Sequence, residues 1–424
     1  MRRSWVRAGW IGGLVLVVGA VALLAPRFWT RDLPAKLVEE ANATFGARRT
    51  RALHVERGEP GTLAEALEAH GAALAEHARQ GDDEAKRVLR EVLAGARPSG
   101  ETPASYLQLL VQAGPDLDAV LHASRCERLE YPYDWGDANL AVQLAARLAA
   151  LRARRALDAG AFASAASDCL DALGLGRDLA VNGTLVGRMV SVAVVQLAAP
   201  SCARVGAELP AGAREAMVAR VRTLRDSIPG FEPVMREEAV EMQLMLYGDG
   251  LPEALRAQLS SRPAAMAANH LEVDHPWALP LFWRAGRDDY DQMIAAMALP
   301  PGQRDEALRQ QADRRSRLPW AEALPSSSNF IGYARRADQA LAWLDLIVLA
   351  AAAGAEREAS GRWPASLGAL EAAGRLTGPE AARLGDATVQ QVGDGGGLVV
   401  VLPVKPPAEG EDDAIGLRLD APVR

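Results

Sequence analysis

Residues 138–205 read ANLAVQLAARLAALRARRALDAGAFASAASDCLDALGLGRDLAVNGTLVGRMVSVAVVQLAAPSCARV, and this stretch decides the fold. Asp158-Ala159-Gly160 and Asn182-Gly183 divide it into three candidate helices. In the first, Leu140, Leu144, Leu148 and Leu151 fall within an arc of about 80° at 3.6 residues per turn, which makes one buried stripe. Arg147 lies close to that stripe, where its stem can follow apolar surface while its head reaches water. The second helix carries Phe162, Ala165, Cys169, Ala172, Leu173 and Leu175. The third, Thr184 to Ala199, is apolar nearly all round and is expected to be the most deeply buried element of the soluble part. None of the three carries a recognisable catalytic group.

Composition extends that reading to the whole chain. Of 424 residues, 49% are hydrophobic but only 5% aromatic, so alanine and leucine dominate and helices are favoured over sheets. A net charge of −7 argues against a nucleic-acid partner. Lysine stands only at Lys36, Lys86 and Lys405, and the resulting excess of arginine reads as the codon bias of a GC-rich bacterial genome. The expected class is mainly α: an N-terminal transmembrane helix, an antiparallel or irregular helical bundle, and a small C-terminal β-hairpin module. The expected segments are 1–30 (anchor or signal peptide), 31–136 (N-terminal helical region), 137–333 (central bundle) and 334–424 (long helix plus hairpin module).

Arg2, Arg3 and Arg7 precede an uncharged run, Ala8 to Ala25, of 18 residues. As a helix it spans about 27 Å, enough for a bilayer core. Ala20-Val21-Ala22 offers a signal-peptidase site, but the run is longer than a typical signal core and Pro26 follows Ala25. An uncleaved single-pass anchor is therefore the expectation. The arginines place it in the bacterial inner membrane with the bulk of the chain periplasmic, although Arg27, Arg31 and Lys36 blur the asymmetry. The expected partners are that membrane and another envelope protein. Farther on, Ala340 to Gly354 is apolar except for Asp345, and the aspartate favours a buried helix over a second span.

Between these landmarks, Thr62 and Glu65 form a capping box after the break at Gly58–Gly61. Gly114-Pro115 is expected to split Tyr106–Val111 from Leu117–Ser124, and Gln303–Arg317 reads as an exposed charged helix. Tyr131, Tyr133 and Trp135 are expected to pack over the core helices, the alternative being that they line a groove. His70 and His77 read as a solvent-touching helix face, seven apart and so not spaced as adjacent metal ligands. Glu237, Glu238 and Glu241 read as a solvated face near a helix start, where acids are favoured; three carboxylates on adjacent turns can alternatively hold a cation or serve acid–base chemistry. His270, Asp274 and His275 are the densest group of potential metal ligands, but Pro276 interrupts a helix there and the spacing matches no zinc signature. Cys169 and Cys202 can bridge adjacent helices and leave Cys126 free, or each can be a small buried residue. No G-x-S-x-G, H-E-x-x-H, P-loop, paired C-x-x-C or dinucleotide fingerprint occurs, so no catalytic residue, cofactor or resident metal is assigned.

Gly361-Arg362-Trp363-Pro364-Ala365-Ser366-Leu367, followed by Leu370, ends a long helix in glycine and turns the chain at an aromatic–proline pair. Thr388–Val392, a glycine-rich turn and Leu398–Leu402 then read as a hairpin, with Ile415–Leu419 as a third strand. This ending resembles the C-terminal module of uncharacterised, membrane-anchored bacterial envelope proteins and, loosely, of type II pseudopilins. Gly160-Ala161-Phe162 and the small residues after it resemble half of a tetratricopeptide repeat, with no second copy. In pseudopilins the anchor helix runs directly into the module and an Asp-Pro pair precedes the hairpin; here the body of the chain intervenes and that pair is missing. The resemblance implies an exported, anchored protein and not a pilus subunit. The leading functional expectation is a non-catalytic interaction or scaffolding protein. The alternative is an envelope hydrolase or metal-dependent enzyme using His270, Asp274 and His275 or the Glu237–Glu241 cluster.

Overall fold

A computed structural model describes residues 31–51, 59–80, 104–128, 136–182, 185–247, 251–260, 279–317, 328–385, 387–392, 397–403 and 414–420, with single residues at 83, 87 and 263. The expected anchor, the aromatic group at 131–135 and the stretch holding His270, Asp274 and His275 lie outside the described residues. In chain order the elements are α1 (Leu33–Arg51), β1 (Glu59–Thr62), α2 (Leu63–Gln80), α3 (Ala104–His122), a 3₁₀ turn (Ala123–Arg125) and β2 (Cys126–Arg128). The central helices follow: α4 (Gly136–Asp158), α5 (Phe162–Asn182), α6 (Leu185–Glu208) and α7 (Ala211–Ser227). Next come α8 (Phe231–Tyr247), α9 (Glu253–Arg256), α10 (Leu279–Met297), α11 (Pro301–Ser316) and α12 (Ser328–Ser360). The chain ends with α13 (Leu367–Ala372), α14 (Gly378–Arg383), β3 (Thr388–Val392), β4 (Gly397–Pro403) and β5 (Ala414–Asp420). The protein is mainly helical with a small antiparallel sheet near its C-terminus, as composition implied.

Contacts group the chain into two units that do not follow contiguous segments: Met1–Arg49 with Phe231–Phe330, and Thr50–Gly230 with Ile331–Arg424. In the second, larger unit, α4, α5 and α6 pack each against the other two. Leu144, Leu148 and Leu151 are buried as their spacing requires, while Leu140, one turn earlier, is 48% exposed. Gly160 turns the chain between α4 and α5 with φ +74°, a conformation that a β-carbon would strain. Cys169 of α5 and Cys202 of α6 form a disulfide with Cα atoms 5.5 Å apart, and Cys126 is a buried thiol outside that bridge.

One expectation about a helix break is corrected here. Helix α3 runs unbroken through Pro115. Proline removes the bond to the carbonyl four residues earlier, at Val111; that residue is 72% exposed, so the freed carbonyl lies on the solvent side. Burial of Leu110, Ala113 and Leu117 keeps both halves in line. Pro200 is likewise carried inside α6. The capping box forms as read: Thr62 N–H donates to Glu65 Oε2 at 2.9 Å, and Glu65 N–H donates to Thr62 Oγ1 at 3.1 Å. It sets α2 against α3 and α4, beneath a short parallel β1–β2 pairing.

Helices α6 and α12 are each long and apolar enough to cross a membrane, which is weakly consistent with membrane association. Of each apolar window, 72% is covered by the protein itself, the condition of a core helix. Asp345, midway along α12 and buried, accepts from Arg225 Nε of α7 at 2.8 Å and from Arg383 Nε of α14 at 3.0 Å. At the crossing of α6 and α12, a β-carbon on Gly354 would collide with the Ala207 carbonyl, so only glycine permits the approach. Gly361 ends α12 with φ +75°, and the Arg357 guanidinium lies 4.4 Å above the buried Trp363 ring. Ser366 Oγ caps α13 through the Ala369 N–H at 3.2 Å. Strands β3, β4 and β5 form an antiparallel meander in that order. Leu398, Val400 and Leu402 share their buried face with Ile415, Leu417 and Leu419 by strand alternation.

In the smaller unit, Leu37, Val38, Ala41 and Phe45 of α1 bury against Val240 and Leu244 of α8 and against Leu251 and Leu259. Asn42 fixes the loop after α9 from both sides, donating to the Gln258 carbonyl and accepting from Ser260 N–H, each at 3.0 Å. Helix α10 packs on α8 and on α11. The expectation of an exposed charged helix at Gln303–Arg317 is corrected: Arg304, Asp305, Leu308, Gln311 and Arg315 of α11 are buried. Leu308 alone marks that face as apolar, too faint a signal to show against so many charges.

Candidate functional site

The most developed polar site lies in the larger unit, where the end of α3 and the 3₁₀ turn meet α4 and α5. Ser164, Ser167, Asp168 and Asp171 stand at i, i+3, i+4 and i+7 along α5 and so share one face. They line an open cleft of about 440 Å³ together with Asp118, His122, Arg125 and Arg152. Arg152 of α4 grips Asp168 in a two-pronged contact, Nε to Oδ2 at 2.8 Å and Nη2 to Oδ1 at 2.6 Å, while its Nη1 donates to Asp118 Oδ1 at 2.5 Å. Arg125 donates from Nε to Asp171 Oδ1 at 3.0 Å, from Nη2 to Asp171 Oδ2, and from Nη2 to Ser167 Oγ at 3.0 Å. Ser167 Oγ in turn donates to Asp171 Oδ2 at 3.3 Å.

Electrostatics follow from this crowding. Burial pushes the Asp168 carboxyl above its ordinary range, Arg152 pulls it back, and the neighbouring Asp171 and Asp118 leave it raised overall. Burial would lower the Arg152 guanidinium, but Asp168 and Asp118 hold it above its ordinary value. The cleft is a set of fixed ion pairs with serine hydroxyls at its side. Its members come from segments far apart in sequence, and the one local trace is the Ser-x-x-Ser-Asp-x-x-Asp spacing on α5.

A second cleft in the same unit, about 390 Å³, lies between α7 and α12 beside Gly374 and Arg375. Its floor includes Val218, Val348, Ala351, Ala352 and Ala355, and Arg214, Arg222 and Arg375 stand at its edge. Arg214 is tied to Glu358 at 2.9 Å, and Arg222 to Glu380 at 2.6 and 3.1 Å.

The residues singled out in the sequence fare differently. His70 and His77, two helical turns apart on α2, converge on one carboxylate of α3: Asp116 Oδ1 lies 2.9 Å from His70 Nδ1 and Asp116 Oδ2 lies 3.3 Å from His77 Nε2. Both rings remain partly exposed, as expected, but they tie α2 to α3 and are not merely solvated. Among the described residues no group of three or more histidines, cysteines or acids is placed to hold a metal ion. The solvated-face reading of Glu237–Glu241 is corrected, since Glu237 and Glu241 are buried. On α10, burial and then the charges of Glu238 and Asp289, with Glu241 adding to them, raise the Tyr290 hydroxyl above its ordinary value. His270, Asp274 and His275 lie outside the described residues.

No known protein family, curated protein or solved structure matches the chain.

Proposed function

We propose that this is a single-pass envelope protein whose disulfide-tied helical body, outside the cytoplasm, recognises another envelope protein and performs no chemistry of its own. The observation that carries this reading is the cleft of paired charges at α3, α4 and α5. Arg125 and Arg152 are each held by carboxylates through several N–H groups. A polar surface fixed in this way loses little conformational freedom when a partner docks. The Cys169–Cys202 bridge supports the compartment, because disulfides persist where the surroundings are oxidising. The arginine-flanked run Ala8–Ala25 supports the tether.

The test places a photo-crosslinking amino acid in the full-length protein in bacterial membranes, at Ser164 in the cleft and at Val186, which is 52% exposed on α6. A discrete adduct from Ser164 and none from Val186 is expected. The same pattern from both positions, or no adduct from Ser164, overturns recognition by the cleft.

A further inference from the structure

The charge balance of the cleft at α3, α4 and α5 identifies what it receives. Among the described residues its walls carry three carboxylates (Asp118, Asp168 and Asp171) against two guanidinium groups (Arg125 and Arg152), a surplus of one negative charge with histidine counted as uncharged. The hydrogen-bond inventory leans the same way. Arg152 already donates from Nε, Nη1 and Nη2, and Arg125 from Nε and Nη2, all into groups of the cleft. Each ionised carboxylate offers about four acceptor sites, and Asp118 accepts one of these bonds and Asp168 two. An anion would meet the surplus negative charge of the cleft; a cation offsets it.

Asp118 marks the entrance. Its side chain is 66% exposed, and its one hydrogen bond among the described residues is through Oδ1 to Arg152. Asp168 lies deeper, with a side chain 10% exposed, and its carboxyl is crowded by two like charges that a second cation would offset. We infer that the cleft receives the lysine or arginine side chain of a partner polypeptide, with the charged head placed between Asp118 and Asp168. A volume of about 440 Å³ suits one long side chain entering with its backbone left at the rim. This rests on the recognition reading above and specifies its chemistry.

The experiment titrates the full-length protein, in a neutral detergent, with fluorescent acetyl-Gly-Lys-Gly-Lys-Gly amide and with its glutamate counterpart, following anisotropy at two salt concentrations. Binding of the lysine peptide, weakened by salt and absent for the glutamate peptide, is expected. Asp118→Asn should weaken it about three- to tenfold, because one rim charge is lost while the exposed position leaves the fold intact. Asp118→Lys, which supplies a tethered cation, should abolish it. Tighter binding of the glutamate peptide, no binding of the lysine peptide at millimolar concentration, or indifference to both variants would overturn the assignment. If Ser164 gives its adduct in membranes while the lysine peptide fails, the cleft recognises a partner by other chemistry and only this inference falls.

Discussion

Asp168 and Glu380 are both buried carboxylates gripped by an arginine through two N–H groups, yet the protein moves their acidities in opposite directions. Burial pushes both up. At Glu380, hydrogen bonds from Arg222 and from the N–H and hydroxyl of Thr377 outweigh burial and hold the carboxyl below its ordinary value. At Asp168 the like charges of Asp171 and Asp118 add to burial, and Arg152, shared with Asp118, cannot compensate. The second cleft is therefore edged by a satisfied joint that fastens α14 to α7. The first cleft keeps a carboxylate short of counter-charge. Two hollows of similar size thus differ in lining and in charge: the second has an apolar floor beside the Glu380 joint, and the first is walled by aspartates and arginines.

The largest test of this contrast is the disulfide behind the first cleft. Replacing Cys169 and Cys202 together by alanine should cost about 3–4 kcal/mol for a loop of 33 residues, read by denaturant unfolding. Protease sensitivity should then rise first at α5, which carries Ser164 to Asp171. A cost below about 1 kcal/mol would mean the bridge is not formed in the native protein.

Asp345→Ala should come next. It leaves Arg225 and Arg383 without their shared acceptor, and since both guanidinium groups can turn partly to water the cost should be about 2 kcal/mol. The loss should appear as release of the α13–β5 region to proteolysis while peptide binding at the first cleft persists. Loss of both together would show that the two clefts are not independent.

Smaller and opposite effects are expected with pH. Glu380 is depressed below its ordinary 4.5, so its contribution is full above that value and is lost as pH falls through the lower folded value. Glu380→Gln should cost about 1 kcal/mol near neutrality, and the wild type should lose that lead as acid is added. Asp168 is raised above its ordinary 3.8, so the wild type should gain on Asp168→Asn as pH falls toward that value. Near neutrality Asp168→Asn should cost less than about 1 kcal/mol, because the lost ion pair is offset by relief from two like charges. Equal pH slopes for the two variants, in urea titrations between neutral and acid pH, would erase the contrast.

How far the sequence reached depended on how local each interaction is. The three central helices, the Thr62–Glu65 box, the Gly361–Ser366 turn and the three C-terminal strands were all legible, because each rests on contacts within a few residues or on periodicity along one element. Pro115 was misread as a break, since a proline's cost is judged against the packing on either side of it. Gln303–Arg317 and Glu237–Glu241 were misread as exposed, because charge in a sequence shows no sign of the ion pairs that make its burial tolerable. The cleft left a single trace, the face spacing on α5, because its other members sit 16, 34 and 46 residues from their partners.

The sequence by itself determined an alanine- and leucine-rich helical protein whose turns at Gly160 and Gly361 and whose cap at Thr62 stand where the residues place them. Only the tertiary structure decided that Arg125 and Arg152 meet Asp118, Asp168 and Asp171, that His70 and His77 share Asp116, and that Cys169 reaches Cys202. Helix formation is governed by hydrogen bonds four residues apart, and these can be read along the chain. Ion pairs and bridges across helices require the crossing and rotation of whole elements, which the buried surfaces set collectively.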